Sequence, residues 1–356
     1  LTRDAKRHYN MKKLLPFVLV IALAIVFSID RFFFPSPPVE FQDRREMMDT
    51  LVTISVYAPD EETAETAIDA AFSRMSEIEQ IASIYDSNSE AFHLNLQGQL
   101  DNPSPELWEI ITTAKEYYEL TKGTFDITVE PLLELWRYKP DSQEQFWELN
   151  PSEQQEIIAN TLRLIGADKI RLSTMPHYSV SLEPGMKITL GGLAKGYIVD
   201  QGLAALRAAG IEHALINAGG DIGVFGGKPT GKWEIVLRDP NDSDNYLARF
   251  LLGDGALATS GNYERYFDKE AEVGHIMDPR TGYSSHGSSS ATVISPTCIQ
   301  ADVLATATFV LGPTEGIALV DSLPHVEALI VDYEEPSRIH KSNGLSMYED
   351  KKKDNL

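Results

Sequence analysis

The chain has 356 residues, 43% hydrophobic and 24% charged, which describes an ordinary globular protein with enough apolar content for a large core. The charge is acidic and uneven: −22 overall, with eight Lys/Arg against four Asp/Glu in residues 1–45 and 23 against 49 in the remainder. A body of that sign repels a phosphate backbone and excludes nucleic acid as a partner, while one cysteine, Cys298, excludes an internal disulfide.

Met11-Lys12-Lys13 followed by the apolar run Leu14–Ile29 reads as a positive flank and a hydrophobic segment. Arg31 can snorkel and Phe32-Phe33-Phe34 suits the membrane interface. No small-residue cleavage site and no lipid-anchoring Cys follow. The expectation is an uncleaved signal anchor over residues 14–34, with a cleaved signal peptide as the alternative. Residues 1–13 then stay in the cytoplasm and the body lies outside it. Residues 1–10 resemble no part of a signal and are read as upstream of a start at Met11. Pro35-Ser36-Pro37-Pro38 opens a stiff linker over 35–45, and residues 341–356 read as a charged tail.

Between them, residues 46–340 alternate in texture. A strand is predicted over 50–58 and an amphipathic helix over 61–82. Further helices are predicted over 104–121 and 152–165, the latter capped by Ser152. From about residue 187, short strands with Gly-rich turns run to about 294. A helix over 296–311 follows, with Ser295 as cap, Pro296 at its first position and Gly312-Pro313 as its stop, then a strand over 326–332. The mixture predicts an α+β fold rather than a regular βαβ series.

The late helix places Asp302 and Thr306 four residues apart, on one face of an otherwise apolar segment. A carboxylate so deep is costly unless it is paired, hydrogen-bonded or bound to metal. Two oxygen ligands with open positions suit magnesium; the alternative is an Asp bonded to nearby backbone and a Thr bonded back to its own helix. Ile188-Thr189-Leu190-Gly191-Gly192-Leu193-Ala194-Lys195-Gly196 reads as a strand entering a helix, where bare backbone and a helix N-terminus favour phosphate. The spacing is neither a P-loop nor a dinucleotide fingerprint. Asn217-Ala218-Gly219-Gly220-Asp221 is a second glycine cluster, with Asp221 read as a turn residue. Gly123-Thr124-Phe125-Asp126-Ile127-Thr128 reads as a turn into a strand. Tyr85, in a polar loop, offers a stacking surface for a planar ring or ordinary packing. His275, ahead of Asp278-Pro279-Arg280-Thr281-Gly282, is the best general-base candidate because histidine titrates near neutrality.

Taken in order, these segments resemble the ApbE family of FAD:protein FMN transferases. The resemblance runs through Met48-Asp49-Thr50, Tyr85-Asp86 with Ser89-Glu90, Gly123 to Pro131 with Trp136, and Leu190 to Asp200. It continues through Asn217 to Asp221, Thr259-Ser260-Gly261, His275 to Gly282 and Ser295 to Gly312, so that it covers roughly residues 46–332. It implies a two-lobed body with FAD in the cleft. It also implies a magnesium ion held by Asp302, Thr306 and the Gly192 carbonyl, and FAD contacts at Met48, Tyr85, Thr124, Phe125, Asp126, Thr189 and Ile299. The implied reaction moves FMN from FAD to a Thr or Ser hydroxyl of an acceptor protein and releases AMP, with His275 and Asp302 in catalytic positions. Thr189 departs from the Asp frequent in the family at that position, so the contact there loses a charge. A magnesium-dependent FAD pyrophosphatase and a non-catalytic flavin-binding envelope protein are the competing readings. The stretch Asp254 to Ser260 does not match the family's acceptor segment at Leu257 and Ala258, so no self-flavinylation is expected.

Overall fold

A computed structural model describes residues 37–142, 144–239, 242, 245–262 and 266–350. The expected anchor over 14–34 and the end of the tail, 351–356, lie outside the described residues.

The fold starts with a hairpin, β1 (Val39–Met47) and β2 (Thr50–Ala58), paired in register from Val39↔Ala58 to Met47↔Thr50. Residues 39–45, expected in the linker, are therefore an edge strand. Their alternation is polar and charged on both faces, which hides them from a hydrophobic reading; the pairing comes from β2. Asp60 then caps α1 (Glu61–Ala82) by accepting the Thr63 N–H at 2.9 Å. Ala64, Ala67, Ile68, Ala71, Phe72, Met75 and Ile78 form its buried stripe.

Next come α2 (Glu90–Gln97), β3 (Gln99–Asp101) and α3 (Pro105–Leu120). The segment after Gly123, expected to enter a strand, instead makes a 3₁₀ turn at Ile127–Val129 and then α4 (Glu130–Trp136). Asp126 forces this: its side chain accepts from Thr128 N–H and curls the chain. The helix α5 (Pro151–Thr161) is capped by Asn150 rather than Ser152, because proline at the first position puts the cap one residue earlier. Strands β4 (Arg171–Ser173) and β5 (Ser179–Ser181) join β3 in a small sheet of order β3-β5-β4.

The second half runs α6 (Ala194–Ala208), β6 (His213–Ala218), β7 (Asp221–Phe225), β8 (Trp233–Arg238), β9 (Tyr246–Leu252) and β10 (Gly255–Ser260). A short pair, β11 (Tyr266–Asp268) and β12 (Val273–Gly274), precedes β13 (Ser290–Ser295) and α7 (Cys298–Asp321). The last strands are β14 (Glu327–Val331) and β15 (Ile339–Lys341).

The main sheet has order β1-β2-β6-β7-β10-β13-β14-β15, and its neighbours pair antiparallel, as an α+β fold requires. Strand alternation sorts its side chains onto two faces. Ile54, Ile216, Ala258, Val293 and Ile330 enter one continuous core with α1, α6 and α7, which extends to Leu94, Ile110 and Val180 around the small sheet. Val224, Leu257, Ile294 and Leu329 face the other way and are covered by Trp233, Ile235 and Phe250 of the β8–β9 hairpin. The stretch 341–350, read as tail, packs there too: Leu345 is buried, and Tyr348 O accepts from Leu251 N at 2.7 Å. A single buried leucine in a polar stretch gives too little periodicity to reveal this.

Gly312-Pro313 kinks α7 rather than ending it; Gly312 sits at φ 77°, and helix resumes to Asp321. Helix and β-turn chemistry are both satisfied by glycine followed by proline, so the sequence cannot separate a stop from a kink. Cys298–Asp321 is, among the described residues, the one helix long and apolar enough to cross a membrane. Its packing against α6, β10, β13 and β14 accounts for that apolar character.

The crossing of α6 and α7 is the tightest in the fold. A Cβ on Gly196 would lie 2.5 Å from the carbonyl oxygen of Cys298. Gly196→Ala is expected to lower unfolding free energy by about 1–3 kcal/mol, the cost of overpacking a filled core, measured by urea denaturation. An unchanged midpoint would show that the two helices separate without cost.

Candidate active site

Asp302 and Thr306 project from the first turns of α7. Asp302 is 5% exposed, and one of its oxygens, Oδ2, accepts the Gly196 N–H at 3.0 Å. Burial, reinforced by the negative charge of Asp221, pushes its carboxyl up to about 8, against the opposing pull of Lys195 and the Gly196 amide. Thr306 Oγ1 lies 3.2 Å from Ser260 Oγ at the end of β10. Gly192 closes the cluster from the α6 side: a Cβ there would stand 3.2 Å from the Phe125 ring and 3.5 Å from Thr306 Oγ1. The turn Gly191-Gly192 thus brings bare backbone beside the Thr306 hydroxyl, with Gly191 exposed and Asp302 buried one helical turn before Thr306.

Asp200, one turn and a half along α6, organises this meeting. Its two carboxylate oxygens accept the N–H groups of Cys298 at 2.8 Å and Ile299 at 2.9 Å. The expected cap, Ser295, instead bonds the Thr297 carbonyl, and the helix begins at Cys298 with Thr297 as its N-cap. The free amides of α7 are capped from another helix. Burial raises the Asp200 carboxyl to about 6 despite those bonds. Asp221, read as a turn residue, is buried and sits 2.6 Å from Lys195 Nζ. Burial raises its carboxyl, and the Lys195 charge opposes that. Lys195 is therefore engaged with a carboxylate. Cys298 is fully buried and its thiol is pushed well up, in keeping with a small core residue.

The remaining predicted residues fall into groups. Thr124, Phe125 and Asp126 are all buried, and Thr189 N–H reaches the Ile127 carbonyl at 2.7 Å, so Thr189 joins them beside Gly191-Gly192. The polar side chains of the first group are used internally: Thr124 Oγ1 bonds the Thr121 carbonyl, and Asp126 Oδ1 takes Thr128 N and Oγ1 at 2.8 and 2.6 Å. Ile299, half-buried, lies on the first turn of α7. His275 lies on a segment tied to Asn262: Ile276 N–H bonds Asn262 Oδ1 at 3.3 Å, two residues beyond Ser260. The contacts of Met48 and Tyr85 run elsewhere. Met48 N–H bonds Glu79 Oε1 at 2.7 Å, and Tyr85 Oη takes a 3.3 Å bond from Arg137.

Asp200, Ser260 and the Lys195–Asp221 pair are the site residues that sequence reasoning left without a role. Asp200 had a signal: a carboxylate inside the apolar run Tyr197-Ile198-Val199 through Gly202-Leu203. Ser260 lay in the matching stretch Thr259-Ser260-Gly261, but its partner is 46 residues away and nothing local gave it a role.

Asp126 supplies a pH test. Burial raises its carboxyl to about 6, whereas an unfolded Asp titrates near ~3.9. Because the folded value lies above the unfolded one, ionising Asp126 opposes folding. That penalty is absent below about pH 4 and grows as pH rises through 6. Asp126→Asn retains an oxygen acceptor and removes the charge. Its stability relative to the unaltered protein is expected to improve by roughly 1–3 kcal/mol between pH 4 and pH 7.5, followed by urea unfolding. A difference that does not change with pH would show the carboxylate is ionised without penalty.

Comparison with known proteins places this geometry. The sequence model of the ApbE family matches residues 48–330. A Klebsiella pneumoniae (strain 342) protein named FAD:protein FMN transferase is 28% identical over 297 residues, 80% of this chain and 87% of the relative. The crystal structure of the ApbE protein of Thermotoga maritima superposes with TM-score 0.77 at 30% identity, over 88% of this chain and all of that one. The flavin transferase ApbE of Vibrio cholerae superposes with TM-score 0.72 at 25% identity, again over 88% of this chain. The matched span takes in the oxygen cluster, its capping carboxylate and the histidine segment, and the chain belongs to the ApbE family.

Proposed function

We propose that the protein transfers FMN from FAD to a Thr or Ser hydroxyl of an acceptor protein, with magnesium, releasing AMP. The observation that carries this is the meeting of Thr306 and Ser260 beside the bare backbone of Gly192, with Asp302 one helical turn before Thr306 on α7, in a chain of a family whose relatives are named for that transfer.

The residues fit a hard cation. Among the described residues no group of three or more His, Cys, Asp or Glu is gathered for a metal. The set is instead one carboxylate, hydroxyls and backbone, the oxygen chemistry that magnesium accepts while keeping other positions for water or phosphate. A fully buried carboxyl raised to about 8 is also short of counter-charge. Asp302, Thr306 and the Gly192 carbonyl would hold the ion. When bound it would supply positive charge to offset the build-up on the pyrophosphate.

The protein's own residues do the rest by position. The Gly191-Gly192 turn brings backbone to the phosphates without a side chain in the way. Phe125 and Tyr85 offer ring surfaces, the first buried and the second 71% exposed. The acceptor oxygen attacks the FMN phosphorus as its bond to the bridging oxygen breaks. AMP leaves with that oxygen, and the hydroxyl proton passes to His275 or a neighbouring carboxylate.

The basic flank and apolar run at residues 11–29 support an anchored, extracytoplasmic body, so acceptors are envelope proteins. Residue composition supplies the support for that part of the reading.

Asp302→Ala is expected to cut transfer by on the order of 100-fold or more, and chelation of divalent cations to do the same in the unaltered protein. The readout is flavin fluorescence on an acceptor protein after denaturing electrophoresis. Full labelling by Asp302→Ala would remove the metal role, and FMN found only free in solution would make the protein a pyrophosphatase.

A further inference from the structure

Glu130 opens α4, and it is an expensive residue to place there. It is 4% exposed, Arg137 Nη2 reaches its Oε1 at 3.0 Å, and its buried Oε2 has no hydrogen-bond partner among the described residues. Burial raises its carboxyl against the pull of Arg137. Arg137, just past the end of the same helix, is thereby fixed by one end of its guanidinium. The same Nη2 stands 3.3 Å from Tyr85 Oη, and Cζ is 5.8 Å from the Tyr85 ring centroid. Tyr85 itself keeps most of its surface open. A second cation is close by, since Lys187 bonds Glu134 of α4 at 2.6 Å and lies two residues before Thr189.

A carboxylate buried with one oxygen unmatched is not a stabilising device. Its effect is to hold a guanidinium against an exposed aromatic ring, at the end of the helix that follows the Phe125 turn and that Lys187 ties to the segment leading into Thr189. We infer that Arg137 is a positioning residue for the flavin ring, held by Glu130, which steadies Tyr85 as a platform and presents its free N–H donors to the acceptor-rich edge of an isoalloxazine laid on it. This rests on the FAD reading above. Guanidinium suits the task because its flat fork packs on rings and donates in plane, whereas an ammonium does neither.

The test is equilibrium binding of FAD to the whole chain with magnesium and without acceptor, followed by flavin fluorescence, together with the midpoint potential of the bound flavin. Arg137→Gln alone strands the Glu130 charge, so the informative protein is Glu130→Gln/Arg137→Gln, which removes both charges, with its fold checked by thermal melting. The expected result is an FAD dissociation constant raised about tenfold or more. The midpoint should also move to a more negative value, because a cation beside the ring favours the reduced, anionic flavin. A merely structural pair would leave the potential where it was. Arg137→Lys should recover part of the potential but not the affinity, since it keeps charge and loses the fork. Unaltered affinity and potential in the double variant, with the unaltered chain binding FAD normally, overturn this inference and leave the transferase reading intact. An unaltered chain that binds no FAD overturns both.

Discussion

Two helix N-termini, bonded to each other across 106 residues of sequence, meet at a contact that tolerates no side chain. Gly196 of α6 lies against the Cys298 carbonyl of α7, its N–H bonds Asp302, and Asp200 returns the contact by accepting the first amides of α7. These bonds fix the relative position of the Gly191-Gly192 turn and the Asp302–Thr306 face. They also place Asp200 and Asp302 on the two sides of the contact, while Asp221 pairs with Lys195, one residue before Gly196. Such a concentration of negative charge is tolerable because helix N-termini carry positive partial charge and their amides point at two of the carboxylates. Burial still wins over those bonds: all three acids are pushed above the usual carboxylate range. A cation fits such a place better than a second anion does.

The long periodic elements were legible in the sequence. The helix over 61–82 appears with those bounds, because its alanine-rich stripe and Asp60 cap leave no competing reading. The pairing of Asp302 with Thr306 across one helical turn was legible for the same reason. What failed were segments whose structure is set by distant partners. Residues 39–45 carry no hydrophobic alternation and become a strand only because β2 offers an edge. Residues 341–350 are held by β9. Asp200 caps a helix 98 residues away, and Asp221 faces Lys195 rather than its own turn. The family resemblance covered the site as a set of positions, yet it did not indicate that the Asp126 side chain is spent on Thr128.

Strain marks the same end of the main sheet. Met48 and Asp49 make the β1–β2 turn with φ of 53° and 56°, a left-handed conformation that side chains adopt at a cost of about 1–2 kcal/mol each. Glu79 holds the turn by accepting the Met48 amide. Beside it, Gly219 comes so close to Thr50 that a Cβ would stand 2.5 Å from its hydroxyl. A non-glycine turn kept in that form, next to a glycine turn packed against it, places the half-buried Met48 side chain at a fixed height above the sheet end. Tyr85 and Arg137 define a second fixed edge, through Glu130. The rigid parts of the site are therefore built from polar anchors, the half-buried Glu79 and Asp200 and the buried Glu130.

The central claim is that the oxygens of Asp302 and Thr306, with the Gly192 backbone, hold a divalent cation against the two phosphates of FAD. Crystals grown with FAD and manganese, a stand-in for magnesium with an anomalous signal, test it most directly. The account predicts one strong anomalous peak at roughly 2.1 Å from an Asp302 oxygen and from Thr306 Oγ1, with a pyrophosphate oxygen completing the shell. FAD bound in order with no peak at Asp302, or a peak held by other residues, would contradict it.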